Sequence, residues 1–277
     1  MDEQAAYLTG EQLHPTAWRR VLLTSLLFYF AGLIILIRTG NPNLFPTVVL
    51  VGNFMVPVTY VVYFYERRYL SQLSLATTAL AFVYGGLLGV FAASLLEPLF
   101  IRRLTFLSAF TVGAIEEFSK ILGVLVIARH RRHDSEMDGL ILGAAAGMGF
   151  AALESTGYAF TAFLLSRGSL SATVGVTLLR GLFAPVGHGT WTAILASVLF
   201  RESGARYLRI NRKVVGAYLA VVILHGLWDG LPGLLASMVS SGSDVFIAQV
   251  AIGLTSLYIL RERWREAKRL QRSLVRE

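Results

Sequence analysis

Eight ionisable side chains sit within four consecutive apolar stretches of this chain, and their types suit hydrolysis by an activated water. Glu116, Glu117 and Lys120 occur in AIEEFSKIL, Glu154 closes FAALE, Arg180 and His188 belong to RGLFAPVGHGT, and His225 and Asp229 bracket HGLWD. Glu116 and Lys120 are four apart, with the acid first, the favourable order for a helical ion pair. Adjacent helical residues project about 100° apart, so that geometry leaves Glu117 without the same excuse. His225 and Asp229 share one helix face, as do Phe150 and Glu154. A carboxylate beside a histidine commonly orients the imidazole, which suits Asp229.

Glu116, Glu117, Glu154 and Asp229 carry four negative charges, and Lys120 leaves three. A dry site cannot hold that excess, so some carboxyls are protonated or a divalent cation is present. The chain has no cysteine, which rules out thiolate ligands and disulfides. Imidazole and carboxylate donors favour zinc in a hydrolytic site that keeps a water. Such an ion would acidify the water and polarise a carbonyl, with a glutamate as general base. The plainer readings are a packed, hydrogen-bonded histidine and a structural Glu116–Lys120 pair. Two histidines at matched depth beside several acids weigh toward a site.

The elements that must position these groups are transmembrane helices. Hydrophobic residues make up 55% of the 277 residues and charged residues 15%, against about 25% charged in ordinary soluble domains. Apolar stretches near the roughly 20 residues a span requires fall at 21–37, 46–65, 73–96, 104–128, 138–164, 171–200, 213–238 and 244–260. The fold class expected is an all-α polytopic transmembrane bundle of about eight spans. It forms a single integral membrane domain over 1–277, with a four-helix catalytic core over 104–238 and a basic cytoplasmic tail over 261–277. The first stretch reads as an anchor that also targets the chain, not as a cleaved signal.

Of the 25 Lys and Arg residues, 19 fall at one end of the eight alternating spans and four at the other. Positive loops mark the cytoplasm, so both termini are expected there. The net charge of +8 therefore reports orientation, not nucleic-acid binding. Trp264, Ala267, Leu270 and Leu274 recur at helical spacing in the tail, which fits a basic amphipathic helix on the inner leaflet or a solvated anchor.

Counted from the cytoplasmic ends, Glu116, Glu117, His188 and His225 lie roughly 17–18 Å deep, near mid-membrane. Glu154 and Asp229 lie a turn further out and Lys120 a turn further in, while Arg180 reads as interfacial. Gly139, Gly143 and Gly147 form a helix-packing stripe. Pro185 loosens its helix beside His188, where an extended substrate backbone could approach. Ionisable groups in neighbouring spans avoid lipid by converging on one polar cavity.

EEFSK, FAALE, the lone His188 and HGLWD together resemble, in order and on successive spans, the PrsW family of intramembrane proteases. That family belongs to the wider group of CAAX prenyl-endopeptidases and Abi proteins, whose motifs read EExxxR, FxxxH and HxxxN. Here the basic residue comes one position early as Lys120, the second motif ends in Glu154 and the last in Asp229. Those departures favour the PrsW branch and speak against prenylated substrates. The resemblance covers roughly 104–230. It implies that Glu116 and Glu117 activate water, that His188 and His225 with Glu154 hold the metal or the water, and that Asp229 or His225 steadies the oxyanion. It also implies a single-span membrane protein as substrate, such as an anti-sigma factor, and a bacterial cytoplasmic membrane.

Two other readings stay open. Relatives include the non-catalytic APH scaffold subunit of gamma-secretase, and buried acids and histidines also build proton- or cation-coupled transporters. The reading carried forward is an intramembrane endopeptidase that cuts in the outer half of the membrane, because Glu154 and Asp229 lie outward.

Overall fold

The computed structural model describes residues 16–68, 71–129, 135–203, 208–238 and 242–274. Among them are nine α-helices and no strand. They are α1 (Ala17–Thr39), α2 (Phe45–Glu66), α3 (Leu75–Phe100), α4 (Phe106–Ala128), α5 (Glu136–Leu165), α6 (Leu170–Phe183), α7 (His188–Ser203), α8 (Arg212–Met238) and α9 (Gly242–Leu274). A short 3-10 turn, Ala184–Val186, joins α6 to α7, so these two form one broken span. The chain is thus a multi-pass membrane protein, with seven or eight helical spans where eight were expected. Seven, among the described residues, contain a stretch long and apolar enough to cross a membrane. The eighth, α4, is as long at 23 residues but carries Glu116, Glu117 and Lys120 through its middle.

Local chemistry sets where the site-bearing helices begin. Thr105 and Ser108 form a reciprocal capping box at the start of α4. Thr105 Oγ1 accepts from the Ser108 amide at 3.1 Å, and Ser108 Oγ accepts from the Thr105 amide at 2.7 Å. Ser74 and Ser169 cap α3 and α6 through one bond each, accepting from the amides of Thr77 and Ala172. These caps satisfy amides that the first helical turn leaves open.

The centre of the bundle is α5. Its side chains from Glu136 to Ala152 are all buried, and α2, α3, α6 and α7 pack around it. The expected glycine stripe makes this possible. A methyl group added at Gly139, Gly143 or Gly147 would collide with the carbonyl oxygens of Ala196, Thr192 and His188 on α7. On the other side, Gly85 and Gly86 of α3 lie against the α5 backbone at Ala146 and Gly149. Lipid gives no hydrophobic drive for helix association, so close backbone packing at small residues supplies it.

The largest departure from expectation is the last helix. The stretch 244–260 ends at no boundary, because α9 continues through the basic segment for 33 residues, a length of about 50 Å at 1.5 Å per residue. The basic segment continues the same helix and packs on the bundle. Ala267 is fully buried, and Trp264 meets Phe64 of α2 edge-on at 5.1 Å. Arg263 Nη2 pairs with Glu136 Oε1 at 3.0 Å, and Gln271 Nε2 donates to Ser135 Oγ at 3.1 Å. These contacts with α2 and α5 hold the helix in line. Residues 275–277 of the expected tail, together with Arg131, Arg132 and Arg206 of the basic end, lie outside the described residues.

Gly147→Ala should destabilise the protein by about 1–3 kcal/mol, as overpacking does, seen as a lower melting temperature in detergent. Gly157→Ala, on the same helix but with no heavy atom within 4 Å of the added carbon, should leave that temperature unchanged or slightly raised.

Candidate functional site

The site is built around the Lys120 ammonium. Its Nζ lies 2.9 Å from Glu116 Oε2, 2.8 Å from Glu117 Oε1 and 2.7 Å from His188 Nδ1. It also stands 4.1 Å from the centre of the Phe150 ring. The Glu116–Lys120 pair was expected; the contact with Glu117 was not. The lysine stem is long enough to place its head between acids at i−3 and i−4, so both share one cation. Lys120 and Glu117 are fully buried, and Glu116 is 4% exposed.

The two histidines close on this pair of acids from α7 and α8. His225 Nδ1 lies 3.1 Å from Glu117 Oε1, and its Nε2 lies 3.3 Å from Asp229 Oδ2 and 3.6 Å from Glu116 Oε2. Trp191 stacks on the His225 ring at 4.6 Å and donates its indole N–H to Ser256 Oγ. His188 Nδ1 is 3.7 Å from Glu116 Oε2, and its Nε2 is 3.1 Å from Glu154 Oε2. An ammonium only donates, so His188 Nδ1 is the acceptor and Nε2–H donates to Glu154. Thr192, one turn past His188, donates to Glu117 Oε2 at 3.0 Å. Glu117 thereby has three partners and no face toward open space.

Pro185 explains where His188 stands. A proline cannot donate the next helical hydrogen bond, and α6 stops at Phe183. The chain turns through Ala184–Val186 and restarts at His188, with Thr190 Oγ1 donating to the Pro185 carbonyl at 2.7 Å. The loosening expected at Pro185 is therefore a break, and it sets His188 at the first turn of α7, against Gly147.

Above this centre lies a cavity of about 730 Å³. Its lining comes from the half of the bundle that carries the 101–104 turn, and it includes Glu97, Glu116, Glu154, Arg180, His188 and Asp229. Gly187 of the helix break and Gln249 of α9 also border it. The expected inward order holds, with Glu154 and Asp229 on the cavity side and Lys120 beneath. Helices α3 and α9, outside the four-helix core expected over 104–238, contribute to the wall. Glu97 was missed. It sits in LLEPLF just past the expected end of its span, and an acid closing an apolar run beside a proline was the available signal. Arg180, expected to be interfacial, reaches inward to α5: its Nη2 pairs with Glu154, and its Nε donates to Ser155 Oγ at 2.9 Å.

One ligand atom from each of Glu116, His188 and His225 lies within 4.8 Å of the others. One carboxylate and two imidazoles fit a divalent ion and leave positions for water. Glu154, expected among the ligands with His188 and His225, instead bridges His188 and Arg180.

The sequence matches the family model described as PrsW family intramembrane metalloprotease over residues 74–258. The match extends beyond the four spans carrying the motifs and takes in α3 and much of α9. No curated protein and no solved structure matches the chain.

Lys120→Met would leave two buried acids without their shared cation, a change that costs about 3–5 kcal/mol when a buried pair is broken. Unfolding in mixed detergent micelles should register that loss. Adding Glu117→Gln to Lys120→Met should recover part of it.

Proposed function

We propose that this chain, which belongs to the PrsW family of intramembrane metalloproteases, is an endopeptidase that cuts a single-span membrane protein within the membrane half into which its cavity opens. The observation that carries this reading is the meeting of Glu116, His188 and His225 donors within 4.8 Å at the foot of the cavity. A divalent ion held by those three residues, zinc by donor chemistry, would supply a water acidified for attack on a carbonyl.

The remaining groups divide the work. Glu117 fixes His225 through Nδ1 and faces no open space, so it positions. Lys120 offsets the charge of the two adjacent acids. Glu154 accepts from His188 Nε2 and orients that ring. Asp229 is the acid best placed to take a proton from water. Glu116 is in the donor set, and Glu154 Oε2 already serves Arg180 and His188. Were His225 to hold an ion, the Asp229 carboxylate would be free of that ring. Its side chain is 30% exposed, open to the cavity. The helix break at Ala184–Gly187 borders the same space and admits an extended substrate backbone.

The basic residues at the opposite end of the bundle support a cytoplasmic position for that end, and with it a cut in the outer half of a bacterial cytoplasmic membrane. A membrane-bound anti-sigma factor fits that substrate class. In proteoliposomes, wild-type protein should cleave members of a panel of doubly tagged single-span reporters on the side of the 101–104 turn, and should contain close to one zinc. Glu116→Gln and His225→Ala should lose both metal and cleavage. Asp229→Asn should keep the metal and lose about 100- to 10,000-fold in rate, as loss of a general base does. Full-rate cleavage by metal-stripped protein, or products cut at the basic end, would contradict the reading.

A further inference from the structure

Hydrolysis of a peptide bond needs a group to meet the negative charge that develops on the carbonyl oxygen. The acids at the centre cannot do so. Lys120 is fully buried and spent on Glu116, Glu117 and His188. Both ring nitrogens of His225 face carboxylates. Among the described residues that line the cavity, Arg180 is the one lysine or arginine.

Arg180 is held like a working part. Its Nη2 pairs with Glu154, its Nε–H donates to Ser155 Oγ at 2.9 Å, and its guanidinium carbon sits 4.1 Å from the centre of the Tyr158 ring. All three contacts come from one face of α5, so the planar group has little freedom. A guanidinium carries five N–H donors. The two on Nη1 have no hydrogen-bond partner among the described residues. Glu154 Oε2 accepts from both Arg180 Nη2 and His188 Nε2, so one oxygen separates the guanidinium from an imidazole of the donor set.

We infer that Arg180 is a further catalytic residue, whose Nη1–H groups donate to the carbonyl oxygen of the scissile bond. This role rests on the endopeptidase reading. As the water oxygen bonds to the carbonyl carbon, Asp229 takes the water proton and the carbonyl π pair moves onto oxygen, where Arg180 meets it. When that pair returns, the carbon–nitrogen bond breaks, and the leaving nitrogen takes the proton back from Asp229. Arg180 gives up no proton at any point.

The alternative is that Arg180 only neutralises Glu154, and the two roles separate experimentally. The probe is the doubly tagged single-span reporter that wild-type protein cleaves fastest. Arg180→Gln should lower kcat by about 100- to 1,000-fold, the usual effect of losing an oxyanion donor. KM should stay within about threefold and zinc content should not change, since removing an interaction made only in the transition state lowers kcat and kcat/KM together. Because Glu154 also contacts His188, Glu154→Gln alone is the reference, and Arg180→Gln combined with Glu154→Gln should remain about 100-fold or more slower in kcat than Glu154→Gln. If Arg180 merely offsets the acid, the double variant removes the unpaired charge and recovers the Glu154→Gln rate, which overturns the proposal. So does full-rate cleavage by Arg180→Gln. Melting in detergent reports folding; should Arg180→Gln fail to fold, Arg180→Lys is read in its place and should lose at least about 10-fold in kcat, as a point charge cannot reproduce the fork geometry. A wild-type protein that cleaves no reporter overturns the endopeptidase reading and this role with it, whereas cleavage by wild type with rescue in the double variant overturns this role alone.

Discussion

An ionised group in the middle of a membrane must find a partner or water, and the structure is organised around one solution to that demand. The Lys120 ammonium gathers Glu116, Glu117 and His188 within 2.9 Å, and His225 closes the ring through the same two acids. Each group alone would cost several kcal/mol at that depth. Together they form a network in which every charge has an opposite charge or a donor beside it. The network opens on one side only, toward the cavity. That asymmetry divides the site: Glu117 and Lys120 are sealed, while Glu116, Glu154, Asp229 and His188 line the cavity.

The rest of the fold keeps this network in register. Gly139, Gly143 and Gly147 let the α7 backbone touch α5, and the last of them lies against the His188 carbonyl. Pro185 ends α6 early enough for His188 to begin a new helix. The capping box at Thr105 fixes where α4 starts, and so where along it the acids fall. At the other end of the bundle, α9 runs past its span and pairs with Glu136, tying the base of α5 to the helix that also supports Trp191 through Ser256. Packing, helix breaks and capping thus act on the same few side chains.

Much of this was legible from the residues. The spans followed from apolar length, and the shared depth of Glu116, Glu117, His188 and His225 followed from counting turns. The broken helix at Pro185 and the glycine contact were also readable, because each depends on local chemistry. What failed to show in the sequence depends on tertiary reach. The position of Arg180 along its helix suggested a surface residue, yet its side chain extends inward to an acid on α5. Lys120 spans two carboxylates because a long flexible stem ignores the projection rule that separates neighbours. Glu97 escaped because a helix was expected to end before it and instead continues through Pro98. The line of α9 is set by partners on α2 and α5 that no helical period within the segment could announce.

The ligand set is the point on which the chemistry turns, and X-ray absorption at the zinc edge of the purified protein examines it directly. A nitrogen and oxygen environment carrying the scattering signature of two imidazoles, reduced to one imidazole in His188→Ala, is the outcome expected from Glu116, His188 and His225 meeting at one ion. A zinc environment without imidazole, or one that His188→Ala and Glu116→Gln leave unaltered, would show that these residues do not hold the metal and that the pocket serves another purpose.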